Sequence, residues 1–107
     1  MQIIVKDKVY ELQVKSLIGT NYRRETLKEI QNNESDLAYA YAALFNDYRG
    51  KLDFTFEDLM FDITDEKAIE VSKFLKQRFA ELVNLFMPQE IEEGEGVPSQ
   101  SGNSTSE

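Results

Sequence analysis

The chain contains no cysteine, no histidine and no tryptophan. Without cysteine there is no disulfide framework and no thiolate, and without histidine no imidazole, so structural zinc sites and Ser-His or Cys-His nucleophilic pairs are excluded. Glycine is scarce: of five in all, only Gly19 and Gly50 precede Pro88, which rules out P-loop and dinucleotide-binding fingerprints. Long apolar runs are missing as well. The longest, Leu37 to Phe45, has nine residues, whereas a helix that spans a bilayer takes about 20. Met1 to Lys8 lacks a basic region followed by an apolar stretch, so no signal peptide is expected. Basic residues are outnumbered 12 to 20, and a net charge of −8 argues against a nucleic-acid or anionic-membrane surface, since both need clustered Lys and Arg. What remains is a binding or scaffolding protein, with no enzymatic activity, cofactor or metal expected.

The acidic excess is unevenly placed. Residues 89–107 carry Glu90, Glu92, Glu93, Glu95 and Glu107 with no base, which leaves 15 acids and 12 bases, a net of −3, over residues 1–88. A stretch so rich in Gly, Ser and Glu, with Ile91 and Val97 its only aliphatic side chains, cannot bury enough surface to offset its ordering entropy. The expected organisation is one hairpin-plus-helices domain over 1–88 and a disordered acidic tail over 89–107.

The first fourteen residues alternate with period two. A turn at Asp7-Lys8 pairs Val5 with Tyr10, Ile3 with Leu12 and Met1 with Val14, all on one face, with Gln2, Ile4, Lys6, Val9, Glu11 and Gln13 on the other. A lone hairpin is marginal in water, so its apolar face must lie on helices, and its edges are free to pair. From Thr20 or Asn21, Tyr22, Thr26, Leu27 and Ile30 recur at helical spacing until Asn32-Asn33. There, Arg24 with Lys28 and Glu25 with Glu29 set like charges four apart, which opposes the helix by a few tenths of a kcal/mol. Ser35 caps a second helix that runs to about Tyr48, with Gly50 as its left-handed terminator. This segment is apolar nearly all round, which places it either at the centre of the fold or under a partner. A short helix is expected from about Phe56 to Phe61, with Thr55 and Asp58 spaced as a capping box. Thr64 then caps the longest helix, about Asp65 to Phe86, ended by Pro88. The fold class is therefore mainly α (α+β), an N-terminal β-hairpin followed by three to four helices.

No motif carries catalytic chemistry. The carboxylates Glu57, Asp58, Asp62, Asp65 and Glu66 fit no calcium loop and sit at helix starts, where the dipole favours them. Arg78 lies among Val71, Phe74 and Leu85 on the last helix and either snorkels from the core edge or meets a partner's carboxylate. Tyr39, beside Ala42 and Ala43, is either an exposed aromatic anchor or packs on the hairpin. Phe45, Met60, Phe74 and Leu85 are side chains of the kind used to hold a helix in a groove. Together with Tyr39 and Arg78 they form the candidate partner-binding set.

A hairpin whose second strand belongs to the stretch KDKVYELQV, Lys6 to Val14, followed by helices and an acidic end, resembles the small tail assembly chaperones of long-tailed bacteriophages. Those proteins often open with a strand, a tight turn and a Tyr-Glu-Leu type second strand before an all-helical body. The resemblance is clearest over residues 1–14 and extends by pattern alone to Pro88; no functional residue carries over. It implies a chaperone in the cytoplasm of the infected bacterium that coats the helical, aggregation-prone tape measure protein and helps recruit tail tube protein. It also implies absence from the mature virion. Many such phages make a longer, frameshifted form, and an extension after Pro88 would leave the fold undisturbed. Wide apolar faces also predict a homo-oligomer when no client is present. The alternative is an acidic protein–protein interaction module, such as a nucleic-acid mimic or small inhibitor, whose binding is salt-sensitive where the chaperone's is salt-tolerant.

Overall fold

The computed structural model describes residues 1–86. In chain order it has strands β1 (Gln2–Val5) and β2 (Lys8–Glu11), helix α1 (Leu17–Thr26), a 3-10 turn (Lys28–Ile30), then α2 (Asp36–Asp47), α3 (Phe56–Asp62) and α4 (Asp65–Phe86). The expected hairpin and helices are all present. The acidic tail lies outside the described residues.

The hairpin turns one residue earlier than the pattern suggests. Lys6 and Asp7 both adopt left-handed φ, 53° and 64°, as a type I′ turn requires, and Ile3 pairs with Tyr10 and Val5 with Lys8. Moving the turn by one residue moves each partner by two, so the same side chains still point inward. Ile3, Val5, Tyr10, Leu12 and Val14 are buried, as the alternation implied. The turn position is fixed from outside the hairpin. Lys6 N–H donates to Asp62 Oδ2 at 2.6 Å, the Lys6 ammonium lies 3.9 Å from Asp58, and Lys8 pairs with Asp53 at 3.0 Å.

The hairpin edges, expected to be free, are met by side chains at a few positions on and next to the strands. On β1, Gln2 C=O accepts from Lys67 Nζ and Lys6 N–H is taken by Asp62. On the other edge Glu11 N–H donates to the Tyr48 hydroxyl at 2.8 Å and Gln13 N–H to Asp47. Strand addition, the usual hazard of an open edge, would have to displace these groups.

Helix α1 begins at Leu17, before the expected Thr20 or Asn21, because Ser16 is its N-cap: Ser16 Oγ accepts from Gly19 N–H at 2.9 Å. It also stops earlier, at Thr26. Leu27 is extended and Ile30 reaches the core from the separate 3-10 turn, as the like-charged pairs on either side of that break favour. Tyr22 is consequently exposed.

Of the two positions open to α2, the structure shows the central one. Ala38, Ala40, Tyr41, Ala42, Ala43 and Leu44 are all buried. Ser35 caps the helix by accepting from Ala38 N–H, and Gly50, at φ 77°, returns its N–H to Phe45 C=O at 2.7 Å in a Schellman-type end. Against this helix α1 comes so close that a Cβ on Gly19 would stand 2.5 Å from the Asn46 amide nitrogen.

The capping box of α3 is formed: Thr55 Oγ1 accepts from Asp58 N–H, and Asp58 Oδ2 accepts from Thr55 N–H at 2.9 Å. That second bond, aided by Lys6, holds the Asp58 carboxyl below the usual carboxylate range. Glu29 ties three elements together. Its Oε1 accepts from Phe56 N–H at the start of α3 at 2.7 Å, and its Oε2 accepts from the Tyr41 hydroxyl of α2 at 3.1 Å. Burial, followed by the Glu29 charge, raises the Tyr41 hydroxyl pKa well above its ordinary value. Thr64 caps α4 through Lys67 N–H, and the 22-residue helix, about 33 Å long, lies across α2 with Val71, Leu75 and Leu82 buried.

Candidate interaction groove

The region where the hairpin hands over to α1 is built around one carboxylate. Asp47, at the end of α2 and buried, accepts three consecutive backbone N–H groups. Gln13 and Val14 donate to Oδ2 at 3.0 and 2.9 Å, and Lys15 donates to Oδ1 at 2.8 Å. The carbonyls of the same stretch face α4, where Arg78 Nε donates to Gln13 C=O at 3.0 Å and to Val14 C=O at 3.3 Å. Val14, fully buried, is held at φ 53°. A β-branched residue enters that region only when its surroundings over-determine it. Asp47 below and Arg78 above supply that constraint.

This clasp fixes Lys15, Ser16 and Leu17 against the next turns of α4. Between them lies a cavity of about 250 Å³ lined by Lys15, Ser16, Leu17, Leu82 and Leu85. Leu82 forms the buried floor, while Leu85 is 76% exposed at the rim. Ile18 and Val83, the residues following Leu17 and Leu82 in sequence, are also exposed. The groove's described lining is aliphatic apart from Ser16, whose hydroxyl is engaged in capping α1, and Lys15, which makes no ion pair among the described residues. Its volume is of the size of one or two aliphatic side chains.

The six candidate binding residues do not form one surface. Leu85 lines the groove, and Arg78 stands one to two turns earlier on α4, engaged within the chain through Gln13, Val14 and Glu81. Tyr39 is half-buried: its ring meets Phe79 edge-on with centroids 5.6 Å apart, and the Arg24 guanidinium stacks over it at 5.0 Å. It packs on α4 and α1 rather than standing free or lying on the hairpin. Phe45 is half-buried beside Tyr41, with Arg23 5.8 Å from its ring centroid. Phe74 packs against the core and Met60 is exposed on α3. The groove residue Leu17, and the exposed Ile18 after it, were missed because the helix start was placed too late; the signal was Ser16, a strong N-cap directly before Leu17-Ile18. Phe61 and the outward cross-strand pair Ile4 and Val9 are further exposed apolar side chains that the sequence did not single out.

Among the described residues no cluster of acidic side chains is placed to hold a metal ion, and no helix is long and apolar enough to cross a membrane. No family model, curated protein or solved structure matches the chain.

Proposed function

We propose that this chain is a phage tail assembly chaperone that binds and solubilises the helical tape measure protein and assists tail tube assembly. The observation that carries this reading is the groove between α1 and α4: a cavity floored by the buried Leu82 and bordered by Leu17 and the exposed Leu85, with Ile18 and Val83 exposed on the same two helices. An amphipathic helix lays one apolar stripe into such a groove. A wholly helical client offers many equivalent stripes. The hairpin, with Tyr10-Glu11 in β2 and Leu12 directly after it, adds the family resemblance. In this reading the chaperone self-associates while no client is present, acts in the cytoplasm of the infected bacterium, leaves before the virion matures and works without a cofactor or catalytic step.

The test is co-expression with the candidate tape measure protein, followed by recovery in low and high salt. The chain should keep the client soluble, with recovery unchanged by salt, and Leu85→Asp or Ile18→Asp should abolish it. Both residues are exposed, so these variants should stay within about 0.5 kcal/mol of the parent in stability. A client that stays insoluble, or whose capture is lost in high salt, would overturn the reading.

A further inference from the structure

Two arginines in the last turn of α1 are held flat against aromatic rings. Arg24 stacks over Tyr39 at 5.0 Å, and Arg23 over Tyr22 at 5.0 Å and Phe45 at 5.8 Å. Among the described residues, their Nε atoms are the buried side-chain polar atoms left without a hydrogen-bond partner, and neither guanidinium makes an ion pair. Burying an N–H without an acceptor costs free energy that a surface arginine avoids by swinging into water, so such an atom calls for a reason. For Arg24 a neighbouring cavity supplies one. It measures about 410 Å³ and is lined by Arg24, Glu25, Gln31, Asn32 and Glu34. A stacked guanidinium has already lost its rotational freedom, so its fork of donors is set for a carboxylate before any arrives. Glu25 and Glu34, in the same lining, oppose the higher charge of a phosphate and narrow the ligand to a single carboxylate.

Arg24 is also placed to work with the groove. It follows Leu17 by seven residues, two turns of α1, so both lie on one side of that helix about 10 Å apart along its axis. That side faces α4 at both points: Leu17 borders the groove with Leu82 and Leu85, and the Tyr39 ring under Arg24 meets Phe79. A partner helix laid along this seam with one aliphatic side chain in the groove brings the residue seven positions away to Arg24.

We propose that Arg24 binds the carboxylate of a Glu or Asp on a helical partner, seven residues from the aliphatic side chain that enters the groove. The partner's signature is thus one aliphatic and one acidic residue a heptad apart. This rests on the groove being a helix site, as proposed above, but not on which protein supplies the helix.

The experiment titrates the full chain, carrying isotope-labelled arginine, with a helical peptide that has a central leucine and a glutamate seven residues to either side, so that both orientations are covered. A second peptide has glutamine in place of both glutamates. The glutamate peptide should bind about tenfold more tightly, against the repulsion of a chain whose net charge is −8. The Arg24 Nε–H resonance should move as it binds, while that of the exposed Arg49 should not. Raised salt should narrow the gap between the peptides and leave the affinity of the glutamine peptide unchanged. Arg24→Lys, which keeps the charge and loses the fork, should bring the two peptides level. Equal affinity of the parent for both peptides would overturn the proposal and leave the groove reading standing, whereas binding of neither would remove both. A preference for the glutamate peptide that survives Arg24→Lys intact would also overturn it, because charge and not the fork would then be read. Peptide discrimination by a chain that leaves the co-expressed tape measure protein insoluble would keep the proposal and remove the chaperone reading.

Discussion

Replacing Asp47 by Asn changes almost no volume and removes one acceptor atom, which makes it a sharp probe of the clasp. In the native chain Oδ2 takes the Gln13 and Val14 N–H groups and Oδ1 takes that of Lys15. An asparagine can keep its carbonyl oxygen towards Gln13 and Val14, but its NH2 then faces the Lys15 N–H, donor against donor. A buried donor left without a partner costs about 1–3 kcal/mol, and the two surviving bonds lose their charge assistance at about 1 kcal/mol each. Lys15 is partly reachable by water, which trims the first figure, so the expected loss is about 3 kcal/mol. For a domain of this size that is a fall in Tm of roughly 12–24 °C. Urea unfolding followed by circular dichroism should show a lower midpoint with an unchanged slope. Asp47→Ala, which leaves all three donors bare, should be worse. A loss below about 1 kcal/mol for Asp47→Asn would show that the three bonds are not what holds Val14 in its left-handed conformation, and the account of the groove's construction would fall with it.

Asp7→Gly, at an exposed position with φ 64°, should raise the urea midpoint by the equivalent of about 0.5 kcal/mol, the left-handed penalty less the extra entropy of glycine. Gly19→Val should cost about 2 kcal/mol by overpacking against Asn46, and Gly19→Ala should be tolerated better when combined with Asn46→Ala than alone, as a double-mutant cycle by thermal melting will show. Tyr41 has a raised folded pKa, so its contribution is intact below the unfolded tyrosine value near 10 and is lost as pH rises above it. Stability measured from pH 9 to 11 should therefore fall more steeply for the parent than for Tyr41→Phe. Asp58, held below its ordinary value, works in the opposite direction: its contribution is present above about pH 4 and disappears as pH falls below that. Asp58→Asn should flatten this acid limb.

The parts of the fold legible in the sequence are those set by short-range chemistry. Ser35, the Thr55/Asp58 pair and Thr64 each mark a helix start because a side-chain oxygen meets a backbone N–H three residues on, and that geometry depends on little else. Period-two alternation likewise sorted the hairpin faces correctly even though the turn was misplaced, since faces depend on parity and not on which pair closes the loop. The turn itself was decided by Asp62, more than fifty residues away, which supplies an acceptor for Lys6 N–H and so selects Lys6-Asp7 over Asp7-Lys8. No local rule contains that partner.

The same distinction explains why the candidate site was only partly legible. Leu85 could be picked out because it lies on the shoulder of an amphipathic helix, but Leu17 joins it because Asp47 and Arg78 grip the backbone of residues 13–15. Of the two readings of Arg78, a snorkelling core-edge residue or a partner-seeking charge, the first is nearer: its hydrogen bonds go to main-chain carbonyls and to Glu81 of its own domain. Tyr39, open to being an exposed anchor or packing on the hairpin, instead packs half-buried against Phe79 and Arg24. Exposure of an apolar residue on a helix that is apolar nearly all round is settled by which neighbours arrive, and three elements arrive at α2. Among the described residues, it is at the end of α4, where α1's first turn reaches across, that Leu17 and the exposed Leu85 border one cavity over the buried Leu82. That is why the proposed binding surface is the groove and not the aromatic residues Tyr39, Phe45 and Phe74, richer in interface character by type, which the fold packs against its own helices and core.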